Sequence, residues 1–490
     1  MGQVVTRTHL TSPSLLMVVA LCGVFLAALD QTVVVTALPS IMQDIHLPVT
    51  KLEKAMWIIT GYLLGYTFAM PLMACLSDVY GRVRVYVMAM LLFIGGSVLV
   101  AIGESLSWLI GARVIQAIGG GATLPVTMAI AADIFPDRRR AVALGVIGAV
   151  AEAGGVLGPL YGGLLINFAG WRWIFWVNLP LGLLIAVLLA GLMPATPRLR
   201  VPVDYIGGLL IAGCLALLTF GLWQEVGNIR PLWQTVGFVA ASLALLAAFI
   251  LRERWTSHPL LELSLFRRLA FAAANGTHLL VGGALIIAMV NVPLMTDTVL
   301  GQPPLEGGLR LMRLSGAIPF GAVAGGFLCG RFGYRLPMFL GLGLVSLGFY
   351  WLSSWGLGIA DPAMTVHLAT TGFGFGLVIA PIAAAVIDQV GEARRGVASA
   401  VVTLSRMIGM MVGLSVLTSW GMGRYAAVTS AIPFPFPQTG DTAAQTQQRL
   451  ILYQEQVTKA TLGLFNNLFL AAAVVAAMAL LPAMLMYRRR

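Results

Sequence analysis

Four ionisable side chains lie inside long apolar segments of this sequence. The acids are Asp30 and Glu152, and the bases are Arg113 and Arg406. An ionised carboxylate in such a segment is costly unless it is paired, hydrated or protonated, whereas an arginine does not lose its proton to escape burial. We therefore expect proton binding and release at the carboxylates, with the arginines as competing cations. The alternative is a set of static ion pairs.

The segment that holds Glu152 also carries small residues at helical spacing. They are Gly154, Gly158 and Gly162, with Pro159 and Gly163 beside them. On a helix, residues four apart share one face, so these glycines form a smooth stripe that another helix can approach closely. The pattern predicts a helix that flexes between two bundles and carries a titratable acid. The alternative is a packing helix whose glutamate faces an arginine.

The composition places these side chains in a membrane protein. The 490 residues are 59% hydrophobic and 10% charged, with a mean hydropathy of +0.91, which excludes an ordinary soluble globule. The net charge of +11 is read as a signal of membrane topology, and we expect no nucleic-acid partner. The four cysteines stand singly, and no nucleotide-binding loop or metalloprotease motif occurs. We expect no enzyme activity, no metal and no cofactor, so a proton gradient would drive any transport.

Apolar stretches of about 18 or more residues predict fourteen transmembrane helices and an all-α fold. The connections predicted to face the cytoplasm hold most of the arginines, among them Arg82, Arg138 to Arg140 and Arg252. This bias predicts a multi-pass protein of the cytoplasmic membrane with both termini in the cytoplasm. We expect it to be a monomer.

A weak internal repeat predicts the domain organisation. The connection after the second span reads ACLSDVYGRVR, and the one after the tenth reads GGFLCGRFGYR. Recurrence at equivalent places predicts a six-helix bundle over residues 1–200, two linker helices over 201–256 and a second six-helix bundle over 257–490. The last two helices are expected to project outward at about residues 420–460. The alternative for this outer segment is a partly disordered polar loop.

The motifs resemble the fourteen-span drug:proton antiporter branch of the major facilitator superfamily. The glycines and Pro159 match its antiporter motif GxxxGPxxGG, and Arg113 falls on its arginine-bearing motif. Asp78, Gly81 and Arg82 are similar to its cytoplasmic gating loop, for which a solvated charged turn is the alternative. The resemblance implies a major facilitator fold of two six-helix bundles plus two inserted linker helices. Asp30 and Arg113 lie at similar depth and are expected to pair.

Four segments are similar to the actinobacterial triacylglyceride exporters. They read WIITGYLLGYTFAMPLM, GATLPVTMAIAAD, AEAGGVLGPLYG and LSRMIGMMVG. This resemblance implies export of a lipidic molecule, a periplasmic lipid-carrying lipoprotein as partner, and transport roles for Asp30, Glu152 and Arg406. Glu152 and Arg406 are plausible partners, unless Asp30 takes that place. Two alternatives are a multidrug:proton antiporter of the same fold and a non-transporting membrane partner of a lipid-handling protein.

Overall fold

The computed structural model describes residues 13–48, 51–135, 137–192, 204–223, 230–256, 259–388, 395–435 and 443–486. The regular secondary structure of these residues is entirely helical. In chain order the helices are α1 (Pro13–Asp44), α2 (Leu52–Ala55), α3 (Trp57–Tyr80), α4 (Arg82–Ala101), α5 (Leu106–Ile134), α6 (Asp137–Ala169), α7 (Trp173–Leu192), α8 (Tyr205–Leu222), α9 (Leu232–Trp255), α10 (Leu269–Thr298), α11 (Pro304–Ser315), α12 (Ala317–Phe332), α13 (Arg335–Leu352), α14 (Asp361–Asp388), α15 (Arg395–Thr429), α16 (Ala443–Met478) and α17 (Leu480–Met484), with a short 3₁₀ helix at Leu263–Arg267.

Fourteen helical segments of the described residues are long and apolar enough to cross a membrane. The pairs α2 with α3, α11 with α12, and α16 with α17 each count as one span. The predicted number of spans is therefore confirmed. The structure does not describe the two termini, which are predicted to be cytoplasmic, or residues 200 and 201, where a domain boundary is predicted. It also does not describe the side chains of Arg138 to Arg140.

The spans form two six-helix bundles and a linker pair. Helices α1 and α3 to α7 pack against one another, as do α10 to α16, while α8 and α9 pair with each other. The bundles meet chiefly where α6 contacts α11 and where α3 contacts α15. Helix α8 touches both α3 and α15, so the linker pair lies beside the junction of the two bundles.

Helices α15 and α16 are longer than a bilayer requires. They contain 35 and 36 residues, which corresponds to about 52 to 54 Å at 1.5 Å per residue, against a hydrocarbon core of about 30 Å. Near their adjoining ends, the rings of Phe434 and Tyr453 are 5.3 Å apart. The segment predicted to be either a helix or a polar loop is thus helical up to Thr429 and again from Ala443, and the connection over 436–442 lies outside the described residues.

Candidate functional site

Asp30 and Arg113 form an ion pair inside the first bundle. An Arg113 NH1 nitrogen lies 2.7 Å from Asp30 Oδ2, and both side chains are fully buried. The aromatic ring of Tyr62 covers the other side of the guanidinium, at 3.9 Å from its central carbon to the ring centroid. The pair is therefore enclosed by α1, α3 and α5, where the low dielectric strengthens its attraction.

Neutral polar side chains complete the surroundings of Asp30. Gln116 and Asn178 each donate a hydrogen bond of 2.9 Å to Asp30 Oδ1. Both amides also donate to the hydroxyl of Ser97, which in turn donates to the carbonyl of Phe93. The carboxylate thus accepts three side-chain hydrogen bonds, from Arg113, Gln116 and Asn178.

The sequence indicates Asp30 and Arg113 but not the rest of this cluster. Ser97 and Tyr62 lie on α4 and α3, far from Asp30 along the chain. A serine or a tyrosine in an apolar span is unremarkable by type, and only the packing of four helices brings these two beside the ion pair. A polar residue on the buried face of a predicted helix is the one signal that could have selected them.

Glu152 and Arg406 form a second ion pair, which joins the two bundles. Glu152 Oε1 and an Arg406 NH1 nitrogen are 2.6 Å apart, and their side chains are 37% and 11% exposed. Glu152 lies on α6 and Arg406 on α15. One pair is therefore sealed inside a bundle, whereas the other joins two bundles through side chains that are partly exposed.

Close packing of α10 on α15 fixes the position of Arg406. A side chain on Gly409 would fall on the backbone carbonyl of Leu279, and one on Gly282 would fall on that of Arg406. Ser405 also donates a hydrogen bond of 2.9 Å to the amide oxygen of Asn275. Such backbone contacts between helices leave α15 little freedom to rotate, so the guanidinium is held toward the first bundle.

A short connection along α1 links the two ion pairs. Gln31 follows Asp30 in the chain, and neighbouring residues on a helix point about 100° apart. While Asp30 faces into its own bundle, the amide of Gln31 reaches across and donates to the sulfur of Met407 at 2.9 Å. Met407 is adjacent to Arg406, so a rotation of α1 would disturb both ion pairs together.

The residues of the glycine motif pack against two different helices, α1 and α11. A side chain on Gly154 would lie 2.7 Å from the carbonyl of Phe25, and side chains on Gly158 and Gly162 would fall on Thr32 and Thr36. These three residues therefore pack against α1 within the first bundle. The prediction that the whole stripe forms the surface between the bundles is wrong for them, because α6 turns this face toward α1.

Pro159 and Gly163 of the motif meet the second bundle instead. A side chain on Gly163 would lie 3.0 Å from the Cα of Leu305 on α11, and a side chain on Gly308 would approach the carbonyl of Pro159. Ser315, at the far end of α11, donates to the carbonyl of Val156 at 3.2 Å. Helix α6 thus touches α1 with one face and α11 with another, and it remains helical through Pro159.

The predicted gating loop forms a small network of charges. The Arg82 guanidinium lies 3.2 Å from Asp78 and 2.6 Å from Asp133 on α5. Gly81 between α3 and α4 has φ 96°, a value that favours glycine because other residues are strained there. Asp133 shares Arg82 with Asp78 and ties α5 to this turn.

The contact between the bundles encloses a narrow cavity of about 50 Å³ beside the Glu152–Arg406 pair. Apart from the ion pair, its polar lining is limited to Gln31, Thr32 and Ser315. The remaining wall is apolar and includes Met289, Met407 and Met410, whose flexible side chains adapt to varied shapes. Among the described residues, no group of three or more His, Cys, Asp or Glu side chains could hold a metal ion.

Comparison with known proteins identifies the family. The sequence profile of the Major Facilitator Superfamily matches residues 20–414. The triacylglyceride transporter of Mycolicibacterium smegmatis is 36% identical over 469 residues, which cover 92% of this chain and 84% of that protein. The probable triacylglyceride transporter of Mycobacterium leprae is 34% identical over 488 residues, which cover 96% and 95% of the two chains.

Solved structures share the fold at lower identity. A bacterial homolog of the human lysosomal transporter Spinster matches with a TM-score of 0.66 at 18% identity and covers 97% of both chains. The D-xylose–proton symporter matches with a TM-score of 0.59 at 14% identity and covers 95% of this chain and 97% of its own. The arrangement of helices, the matched profile and these relatives agree: this chain belongs to the major facilitator superfamily and is a multi-pass membrane transporter, not an enzyme.

Proposed function

We propose that the protein is a proton-coupled exporter that moves a lipidic or amphipathic molecule, of the triacylglyceride class, from the inner leaflet to the outside. The observation that carries the proposal is the Glu152–Arg406 ion pair between the bundles. Relatives that are 34% and 36% identical over most of the chain are named triacylglyceride transporters, which supports the substrate class.

Protonation of Glu152 would weaken the contact between the bundles. A proton on the carboxylate removes its charge, so the attraction to Arg406 falls to that of a single hydrogen bond. Arg406 keeps its charge and turns to water or to an ester carbonyl of the substrate. The bundles can then separate at this level, and loss of the proton restores the pair. In this cycle, proton binding and release at Glu152 would drive the protein between its two access states.

Asp30 would be a second proton-binding group, and it would exchange protons more slowly than Glu152 because it is buried. A proton on Asp30 would compete with the three donors that already bind its carboxylate, which are Arg113, Gln116 and Asn178. Displacement would shift α1, and Gln31 carries that shift to Met407 on the opposite bundle. We assign Glu152 to proton exchange, Asp30 to coupling, and the arginines to competition with the proton.

The lining of the cavity supports a weakly polar substrate. Sugars, phosphates and amino acids need several fixed polar partners once they leave water. Between the bundles the apolar side chains outnumber the polar ones, and an ester needs only one donor. A protein of this class would lie in the cell membrane, as a monomer with both termini in the cytoplasm.

The prolonged helices α15 and α16 support a role in delivery to a carrier. Their length leaves about 20 Å of paired helix beyond the hydrocarbon core, and Phe434, Leu450 and Ile451 are exposed in this region. We propose that this outward pair hands the lipid to a periplasmic lipid-carrying lipoprotein. Replacing residues 425–455 with a short polar turn should then abolish lipid delivery, and unchanged delivery would contradict the assignment.

The coupling is tested in proteoliposomes that contain a fluorescent triacylglyceride. A lipase added outside hydrolyses only the lipid that reaches the outer leaflet, so its rate reports export. We expect an imposed pH gradient to accelerate this rate, Glu152→Gln to remove the dependence on the gradient, and Glu104→Gln in an exposed loop to leave it intact. Gradient-independent export in the unmodified protein would refute proton coupling.

Multidrug antiport is the second candidate, favoured by the complete GxxxGPxxGG motif packed between α1 and α11. Proteoliposomes that extrude a cationic dye under a pH gradient, in a manner lost with Asp30→Asn, would support it. If neither lipid nor dye moves, and only truncation of the outer helices alters lipid handling in cells, the protein acts as a non-transporting partner.

A further inference from the structure

A second, lateral site lies on the outside of the first bundle. A groove of about 790 Å³ runs between α1, α6 and α7, which we call the α1–α6–α7 groove. Its volume falls within the range of about 300 to 1,000 Å³ that is typical of ligand pockets. All three helices are membrane spans, so the groove opens into lipid and is separate from the cavity between the bundles.

The groove offers almost no polar groups to a ligand. Its lining residues are aliphatic or aromatic except for Cys22, and Tyr161 is the one aromatic residue among them with a hydroxyl group. No charged side chain lines it, so a phosphate headgroup would find no partner there. The groove remains accessible, because Val18 and Leu184 on its rim are each 55% exposed. Its chemistry suits hydrocarbon chains attached to an uncharged head.

Tyr161 provides a donor for that head. Its hydroxyl oxygen is buried and makes no hydrogen bond in the structure. A buried hydroxyl without a partner is costly in an apolar setting, and an ester carbonyl of a glycerolipid is an acceptor that could satisfy it. A plain hydrocarbon could fill the groove but would leave this hydroxyl unpaired.

The groove also extends beyond a single leaflet. The contact of Gly162 with Val33 places Tyr161 at about the level of Val33 on α1. From Val18 to that level the rise is about 22 Å at 1.5 Å per residue, which exceeds half of the hydrocarbon core of about 30 Å. An acyl chain in the groove would therefore cross the midplane. Leu29 in its wall precedes Asp30, so an occupant contacts the helix that carries the buried ion pair.

We propose that the α1–α6–α7 groove binds an acyl chain of a neutral glycerolipid, with an ester carbonyl accepting a hydrogen bond from Tyr161. This inference rests on the proposed lipid substrate and deepens it by adding a lateral holding site. The site retains the lipid beside the transporter on a path that spans both leaflets, before or after its passage between the bundles.

The test uses a triacylglyceride with a photoreactive diazirine in one chain, in proteoliposomes without a pH gradient. Mass spectrometry of the labelled peptides should place the crosslinks on α1, α6 and α7. Leu184→Trp, which fills the groove, should reduce this labelling at least about fivefold, whereas Leu340→Trp should not. Leu340 is a matched control because it is 47% exposed on α13, away from the groove.

The variant Tyr161→Phe removes the hydrogen-bond donor but keeps the aromatic ring in the wall of the groove. Loss of one neutral hydrogen bond should raise the triacylglyceride concentration that gives half-maximal labelling about 2- to 10-fold. Labelling by a diazirine-bearing alkane should be unaffected. Equal competition by phospholipid and triacylglyceride, or labelling insensitive to Leu184→Trp, would show ordinary boundary lipid and overturn the proposal. Labelling is measured without transport, so groove labelling with no export refutes the proposed function alone, and export without groove labelling refutes this site alone.

Discussion

Removal of one charge from the Glu152–Arg406 pair should open the contact between the bundles. Gln31 and Met407 add a weaker contact nearby, but the ion pair is the charged link between α6 and α15. Glu152→Gln imitates the protonated acid, and Arg406→Gln removes the cation with a similar length of side chain. In each case we expect a shift toward a state in which the predicted outer ends of α6 and α11, now in contact at Gly163, lie apart.

The size of this shift follows from the geometry of the pair. Two unit charges about 4 Å apart interact by about 4 kcal/mol at an effective dielectric constant of about 20. The exposure of the Glu152 side chain, 37%, admits water and screens part of this attraction. We therefore expect a coupling free energy of about 1 to 3 kcal/mol, equivalent to a change of about 5- to 150-fold in the ratio of the two states.

A double-mutant cycle with distance measurements tests this value. Spin labels at Glu104→Cys and Leu357→Cys, both exposed on the predicted outer face, report the separation of the bundles after the four native cysteines are replaced. The long-distance population should rise in each single variant, and the double variant should add little to either. It should also rise at low pH in the unmodified protein but not in Glu152→Gln. Equal populations in all four proteins, or strictly additive effects, would refute the reasoning.

Three further predictions concern packing and the buried charges. Asp30→Asn leaves the Arg113 guanidinium without a buried counter-ion, which should cost about 3 to 5 kcal/mol and lower the midpoint of thermal unfolding in detergent; an unchanged midpoint would show that water compensates. Gly158→Ala forces a methyl group onto Thr32 and should destabilise the fold by about 1 to 3 kcal/mol, whereas Gly145→Ala, with open space around it, should have no such effect in the same assay. Asp133→Asn should lower the same midpoint by less than Asp30→Asn, because its pair with Arg82 is partly exposed and exposed pairs contribute about 0 to 1 kcal/mol; an equal loss would contradict this ranking.

The number of spans and the presence of the charged residues could be read from the sequence. A stretch of about 20 apolar residues has few alternatives to a membrane helix, and a charge within it is conspicuous because burial is expensive. The depth of Asp30 and Arg113 even suggested their pairing. The depth of a residue within its span did not single out Ser97 or Tyr62, because serine and tyrosine occur on both buried and exposed faces of helices.

Helical periodicity predicts which residues share one face of a helix, but it does not predict which neighbouring helix that face contacts. The spacing of Gly154, Gly158 and Gly162 indicates a close helix contact but does not name the neighbour, and α1 rather than the second bundle fills that place. The same ambiguity applied to Arg406, for which both Glu152 and Asp30 were possible partners at a similar depth. Rotation of α6 about its axis decides both questions, and that rotation depends on contacts with helices distant in sequence.

By itself, the sequence determined the membrane location, the fourteen spans and the residues whose charge must be compensated, because each follows from the local cost of placing backbone or charge in lipid. Tertiary structure alone decided that Asp30 is sealed within one bundle while Glu152 bridges two. It also decided that α1, α6 and α7 leave a groove whose wall includes Tyr161, a residue with a buried and unpaired hydroxyl. Both features arise from the rotation and spacing of helices far apart in the chain, which no local pattern of residues specifies.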